Sequence, residues 1–190
     1  EALSRSGVKL WIGDLWNEEI LRKAISDADV IIHCAANARF GNGSHYQRAN
    51  VELTEHLIQT ARHHTRNLGR FVFVSTIGAI DRAPGDRCVT PLTEDSPAFP
   101  ASDYGKSKLQ AEAAVRQSGL PFAIVRPAMV VGDDMRTDSH FAVFARQALE
   151  GSLAARVAWP GRFSVIHADD LASAIATIAV RPEADGQTYF

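Results

Sequence analysis

The chain has 190 residues, 46% hydrophobic, 22% charged and 8% aromatic, which excludes a disordered tail, a collagen-like repeat and a disulfide scaffold. Its 20 Lys and Arg against 22 Asp and Glu leave a net charge of −2 with no basic run. Binding to nucleic acid or an anionic membrane by bulk electrostatics is therefore not expected. The apolar stretches are too short to span a bilayer, no export signal opens the chain, and Cys34 and Cys88 make no framework. A globular domain in a reducing, cytoplasmic setting is the expectation. The chain opens on Glu1 rather than Met, and its closing GQTYF reads as a strand cut off in progress, so it reads as an internal piece of a longer protein.

Residues 8–12 (VKLWI) are β-rich and run into Gly13-Asp14, which predicts a strand ending in a loop. Ile20, Leu21, Ala24 and Ile25 recur at helical spacing behind Asn17, a fitting N-cap, so 17–27 read as a helix. The short apolar run 29–33 (DVIIH) fits a strand buried on both faces. A polar loop from Asn37 to Ser44 follows, then a helix over 46–65 with Leu53, Leu57, Ile58 and Ala61 on one face. Residues 70–75 (RFVFVS) form the clearest strand. Four prolines make 81–101 an irregular loop, 103–117 read as an alanine-rich helix ended by Gly119, and 121–126 (PFAIVR) as another strand. Residues 138–150 are expected to be helical, 163–167 (FSVIH) a strand, and 169–180 a helix with Asp169 or Asp170 near its start.

Strands alternating with helices predict an α/β fold with a mainly parallel sheet. Such sheets bind ligands beyond the carboxyl ends of their strands. The residues that come there are Gly13-Asp14, His33 to Ala36, Ser75-Thr76, Arg126 to Met129, and His167.

Tyr104-Gly-Lys-Ser-Lys108 places a phenol and an ammonium on one helix face, a turn apart. The ammonium favours the phenolate and lowers the tyrosine pKa, so Tyr104 could serve as a general acid/base tuned by Lys108. Chance spacing is the bland alternative. Ser75-Thr76, closing the strongest strand, could offer hydroxyls to a substrate oxygen or simply terminate the strand. No G-x-S-x-G elbow surrounds them, which disfavours a serine hydrolase. Asp14, with Leu15 after it, could accept from an adenine amino group or cap the following helix. The small residues Ala35 and Ala36 after Cys34 could let a flat ligand approach, or only pack a strand end. The seven histidines show no metal-ligand spacing, and Gly41-Asn-Gly43 reads as a turn, not a phosphate loop.

In this order, GDL, VIIHCAA, Asn50-Val51, FVFVST, YGKSK, RPAMVVG and VIHADDLA resemble the extended short-chain dehydrogenase/reductase family, the NAD(P)-dependent epimerase/dehydratase group, over nearly all residues. The long step from Thr76 to Tyr104 suits the extended group better than the classical one. The resemblance implies a Rossmann-like, doubly wound, mainly parallel sheet. It implies Tyr104 as catalytic acid/base, and Lys108 on the nicotinamide ribose hydroxyls as well as tuning Tyr104. It further implies Thr76 polarising the substrate oxygen, with Ser75 beside it at the cofactor. Asp14 and Leu15 would hold the adenine, and Ala35 and Ala36 would flank the dinucleotide. Pro127, Ala128 and Met129 would touch the nicotinamide end, and Asn50 would shape the site. NAD or NADP is the implied cofactor, and the sequence does not choose between them.

The family's first two strands and its G-x-x-G-x-x-G loop are missing from these residues, as is most of its C-terminal substrate-binding part. Residues 1–190 are accordingly expected to be a partial dinucleotide-binding domain, with the substrate-binding part beginning to interleave after about residue 133. With the family's strand order 3-2-1-4-5-6-7, VKLWI should not pair with DVIIH, and the chain alone should not bind either cofactor tightly. The implied reaction is hydride transfer on a small hydroxyl- or carbonyl-bearing metabolite, as an oxidoreductase, epimerase or dehydratase. The loop Asn37-Ala-Arg-Phe40 and the stretch VVGDDMRTD also resemble thioester or carboxylic-acid reductase domains of the superfamily, and a non-catalytic dinucleotide-sensing relative is a third reading. A small-molecule substrate is the expected partner, without nucleic acid or membrane, and a homodimer is left open.

Overall fold

Strand β2 (Arg70–Val74) decides the architecture, because its neighbouring side chains are buried on opposite faces. Phe71 and Phe73 point into one core and Val72 into another, the two-sided burial of a strand in a parallel sheet. β1 (Val30–His33), β2, β3 (Phe122–Val125) and β6 (Gln187–Tyr189) form one parallel sheet in the order β1-β2-β3-β6. Ile31 pairs with Phe71 and Phe71 with Phe122, so the carboxyl ends of β1, β2 and β3 stand side by side. β4 (Met129–Val131) and β5 (Val165–His167) form a second, two-stranded parallel sheet. The computed structural model describes residues 7–38, 43–86, 91–133, 135, 137, 139–151 and 164–190.

One sheet face carries α1 (Glu18–Ile25), α3 (Leu53–His64) and α4 (Asp103–Gln117). Leu21 and Ile25 from α1, Leu57, Ile58 and Ala61 from α3, and Ala111 and Val115 from α4 close over Ile31, Phe71, Phe73 and Ile124. The other face carries α6 (Ala168–Val180), whose Ile175 and Ala179 meet Val72 and Val125. A short α2 (Gly43–Tyr46) and a π-helical turn (Gln47–Glu52) lead into α3, and α5 (His140–Leu149) lies between β4 and β5 in the chain.

Local signals explain most boundaries. Asn17 accepts from the Ile20 N–H as the cap of α1, Ser102 accepts from the Gly105 N–H as the cap of α4, and Ser139 accepts from the Ala142 N–H as the cap of α5. The first helix, the strands at β1, β2, β3 and β6, and the helices at α4, α5 and α6 fall where periodicity predicts them. At the foot of β2, buried Arg70 binds Asp185 at 2.8 Å and the Arg181 carbonyl at 2.9 Å, which ties the turn before β6 beneath the sheet.

One expected strand is not one. Residues 8–12 lie in no strand, and Val8, Leu10, Trp11 and Ile12 are all exposed. The sheet neighbour of β1 is β2, so VKLWI is not paired with VIIH, as the family's strand order implies. A β-rich segment becomes a strand only where a neighbouring strand meets its backbone groups, and none of the described strands does. Strand β4 is the converse case, formed where the sequence was read only as a motif. Cys88, residues 39–42 and parts of the VVGDDMRTD stretch lie outside the described residues. Among the described residues no helix is long and apolar enough to cross a membrane.

Candidate active site

The loops after β1, β2 and β3 and the first turn of α4 converge at the carboxyl edge of the main sheet. The Ser75 N–H donates to the Val125 carbonyl at 2.7 Å and the Ile77 N–H to the Pro127 carbonyl at 3.0 Å, which joins the segments carrying Thr76 and Pro127. Helix α4 reaches the same place through a glycine contact. A Cβ on Gly105 would stand 2.2 Å from the Gly78 carbonyl oxygen, so only glycine lets the helix touch the turn after Thr76. Gly105 follows Tyr104, and Gly78 comes two residues after Thr76. That backbone approach brings the first turn of α4, which carries Tyr104, against the turn that follows Thr76.

Gly105→Ala reverses the usual sign of such a change. On an exposed helix the substitution gains up to about 1 kcal/mol. Here the methyl must push α4 off the turn, an overpacking cost of about 1–3 kcal/mol or more. A lowered urea midpoint with unchanged m-value is the expected result, and a raised midpoint would show that the contact is loose.

Thr76 is half-buried, and its Oγ1 accepts from the Gly78 N–H at 3.2 Å, which caps the 3-10 turn Ile77–Ala79. Its O–H proton can still be donated toward the cleft. Ser75 behaves differently from the expectation that it lines the cofactor. It is 4% exposed and its hydroxyl donates inward to Glu112 at 2.6 Å, so its side chain supports the site from behind.

Tyr104 and Lys108 share one face of α4. The Lys108 ammonium, almost wholly buried, sits 4.0 Å from the centroid of the Phe73 ring. Burial lowers its pKa to about 8, while Glu112 and Cys34 hold it up. Burial pushes the Tyr104 phenol above its ordinary value, and Tyr46, whose ring lies 5.9 Å away, adds to the rise. This is the reverse of the lowering that a lysine neighbour alone would produce. With the ammonium turned onto Phe73, desolvation and then Tyr46 set the direction of the shift. A neutral phenol is a proton donor.

Asn50 occupies the π-helical turn, where the Leu53 N–H reaches back to the Arg48 carbonyl. Such turns are frequent at functional sites. Fully buried, Asn50 accepts from the Asn37 N–H at 2.7 Å and donates to the Asn37 carbonyl at 3.2 Å and to Ser107 Oγ at 2.9 Å. Ser107 in turn donates to the Tyr104 carbonyl at 2.7 Å. One side chain thereby clamps the loop after Ala35 and Ala36 to the helix of Tyr104.

His33 completes the rear wall. Thr54 spends its hydroxyl proton on the Asn50 carbonyl at 2.6 Å, so the contact between Thr54 Oγ1 and His33 Nε2, 3.0 Å, has the imidazole N–H as donor. Burial holds the His33 pKa near 4 against an ordinary 6.5, with Lys108 contributing in the same direction. Between these values the unfolded chain binds a proton that the folded chain does not, so stability rises with pH. The full contribution, about 3 kcal/mol at 1.4 kcal/mol per unit, is present above pH 6.5 and lost as pH falls toward 4. Urea titrations at pH 7, 5.5 and 4 should show this loss in the parent chain and a flatter profile in His33→Gln. An equal slope in both would remove His33 from the acid response.

Ala35 is half-buried, Ala36 exposed, Pro127 buried, and Ala128 and Met129 half-buried, all just beyond strand ends. Asp14 and Leu15 are exposed, ahead of α1. The Asp14 carboxylate accepts from the Trp16 N–H at 3.0 Å, as a turn-capping residue does. Arg48 of the π turn lies 5.5 Å from the Trp16 ring, which places the 14–16 turn beside the segment carrying Asn50. His167, at the end of β5, caps α6 by accepting from the Asp169 N–H at 3.3 Å. No three His, Cys, Asp or Glu converge as a metal site requires among the described residues. Sequence reasoning missed Glu112, a fully buried carboxylate that contacts both Ser75 and Arg126.

Comparison with known proteins assigns the family and the fold. The model of the NAD dependent epimerase/dehydratase family matches residues 2–189. The chain belongs to that family. A 4-hydroxy-2-methyl-3-oxo-4-farnesyl-3,4-dihydroquinoline-1-oxide ketoreductase of Stigmatella aurantiaca is 29% identical over 97% of this chain and 54% of its own length. The UDP-glucuronic acid 4-epimerase of Bacillus cereus, solved with UDP-glucuronic acid and NAD, superposes with TM-score 0.75 at 24% identity over 93% of this chain and 57% of its own. The dTDP-glucose 4,6-dehydratase DesIV of Streptomyces venezuelae, solved with NAD, superposes with TM-score 0.74 at 25% identity, covering 93% of this chain and 56% of its own. The first curated relatives are spanned over 40–53% of their length. The fold is the Rossmann-like α/β fold, and the cofactor of the family is NAD or NADP.

Proposed function

We propose that this chain carries the proton-transfer half of an NAD(P)-dependent oxidoreductase, epimerase or dehydratase acting on a small metabolite with a hydroxyl or carbonyl group. The observation that supports it is the Gly105–Gly78 backbone contact, which sets Tyr104, Lys108 and Thr76 at one sheet edge. The donor set fits a nicotinamide nucleotide, because Tyr104 and Lys108 on one helix and the Thr76 hydroxyl stand at the carboxyl edge of strands followed by the small residues Ala35, Ala36 and Ala128. The nicotinamide supplies or accepts the hydride.

The residues of this chain handle the proton and the orientation. Thr76 donates its O–H to the substrate oxygen and fixes the carbonyl or hydroxyl in place. Tyr104, held neutral by burial, gives its phenolic proton to that oxygen as a carbonyl is reduced, and takes it back in the oxidative direction. Lys108, with a pKa near 8, stays largely cationic at neutral pH; turned from Phe73 toward the cleft it would hold the ribose hydroxyls and stabilise the phenolate when it forms. Pro127, Ala128 and Met129 would border the nicotinamide end, and Ala35 and Ala36 would flank the dinucleotide. Asp14 and Leu15 serve the adenine. Substrates of the relatives, a quinoline ketone and nucleotide sugars, share an oxidisable or reducible C–O carbon.

The test is a panel of sugar nucleotides, hydroxysteroids, flavonoids and acyl thioesters, followed by nicotinamide absorbance with the full-length protein. Turnover of an alcohol, ketone or sugar nucleotide supports the reading. Turnover confined to acyl thioesters assigns a reductase of that type, and cofactor binding without any turnover assigns a sensor.

A further inference from the structure

The carboxylate of Glu112 is 1% exposed and is the meeting point of three segments. Its Oε1 accepts from Ser75 Oγ at 2.6 Å and from Arg126 Nε at 3.0 Å, and its Oε2 from Arg126 Nη2 at 2.7 Å. Arg116 lies further off, at 3.8 Å. Ser75 immediately precedes Thr76, Arg126 immediately precedes Pro127, and Glu112 stands one helical turn beyond Lys108. A buried carboxylate with a bidentate arginine is geometrically demanding, and here its partners are the residues adjacent to the proposed chemistry.

We propose that Glu112 is a positioning residue for the Tyr104–Lys108 pair, registering both strand ends against α4 and supplying the buried countercharge of Lys108. The proposal rests on the catalytic reading above. The groups facing Lys108 are His33 and Cys34 from the end of β1, Phe73 from β2, and Tyr104 and Glu112 from its own helix. At neutral pH His33, buried, is uncharged because its pKa is lowered, and the thiol of exposed Cys34 is uncharged because its pKa is raised, so Cys34 supports the Lys108 charge less than Glu112 does. Tyr104 is likewise a neutral phenol. Glu112 is therefore the anion of this set, and it opposes the desolvation of Lys108.

A plain structural staple would need only the hydrogen bonds, of which glutamine keeps the two made to one oxygen and loses the third. A countercharge needs the negative charge. The chain has four lysines, so side-chain NMR of lysine labelled at Cε can follow Lys108 directly, with Lys108→Met identifying its signal. In Glu112→Gln the Lys108 midpoint should fall by about one pH unit or more, the scale of losing a close opposite charge. Glu112→Asp, which keeps the charge, should stay near the parent midpoint. Should Glu112→Gln fail to fold, Arg126→Gln takes the guanidinium off the carboxylate and leaves its charge to Lys108, so the Lys108 midpoint should then rise. An unmoved midpoint in the glutamine variants, or an equal shift in the aspartate variant, overturns the proposal. Once a substrate is known, the alkaline limb of the rate profile should move down with the Lys108 midpoint, and a limb that stays put also overturns it. The titration needs no turnover, so it stands or falls separately from the assignment of Tyr104.

Discussion

Tyr104→Phe should lower turnover by about 10²- to 10⁴-fold, the range that one positioned acid/base contributes, while cofactor affinity stays close to the parent value. The substitution removes only the phenolic oxygen. The ring still packs against Tyr46 at the 5.9 Å separation, and Gly105 still seats α4 on the turn after Thr76. Lys108→Ala should behave differently and damage both turnover and affinity, because the ammonium serves the ribose hydroxyls as well as the phenol. It also empties a buried position against Phe73, so its stability must be measured alongside. Steady-state nicotinamide absorbance and cofactor titration on the full-length protein separate the two variants. Parent-level turnover in Tyr104→Phe would end the catalytic assignment. Equal losses of affinity in both variants would mean that Tyr104 binds rather than reacts.

The parts of this site that were legible in the sequence are those fixed by short-range rules. Ser102 before an acidic first turn marks the start of α4, and RFVFV reads as a strand because aromatic and β-branched residues fill consecutive positions. Tyr104 and Lys108 follow from helical spacing once that start is known. What was not legible depends on partners far along the chain. Nothing in the local sequence marks Glu112, because its partners Ser75 and Arg126 lie 37 and 14 residues away. The inward turn of Ser75 has the same origin. The π turn leaves no mark in the hydrophobic period, which begins only at Leu53, so 46–65 read as one unbroken helix. VKLWI failed for a related reason: its β propensity is real, but propensity does not supply a neighbouring strand.

Arg126→Met should cost about 3–5 kcal/mol of stability, the penalty for leaving a buried charge without its partner. The Arg126 side chain is 6% exposed and that of Glu112 is 1% exposed, so water does not screen the loss. Methionine fills most of the space, which leaves the charge rather than a cavity as the cause. After the change, the Glu112 carboxylate keeps Ser75 at 2.6 Å, Arg116 at 3.8 Å and the charge of Lys108 one helical turn away, too little to replace a bidentate guanidinium. The double variant Arg126→Met/Glu112→Leu removes both charges and should recover most of the stability, since apolar replacement of a buried pair is often neutral. It leaves the buried Ser75 hydroxyl without its acceptor, a deficit of about 1–3 kcal/mol that adding Ser75→Ala should remove. Urea denaturation with constant m-value measures all three, against a total of about 5–15 kcal/mol for a domain of this kind. A loss below about 1 kcal/mol in Arg126→Met, the size of an exposed pair, would show that the carboxylate finds water or protonates. Thr76 and Pro127 would then be registered against α4 by backbone contacts alone.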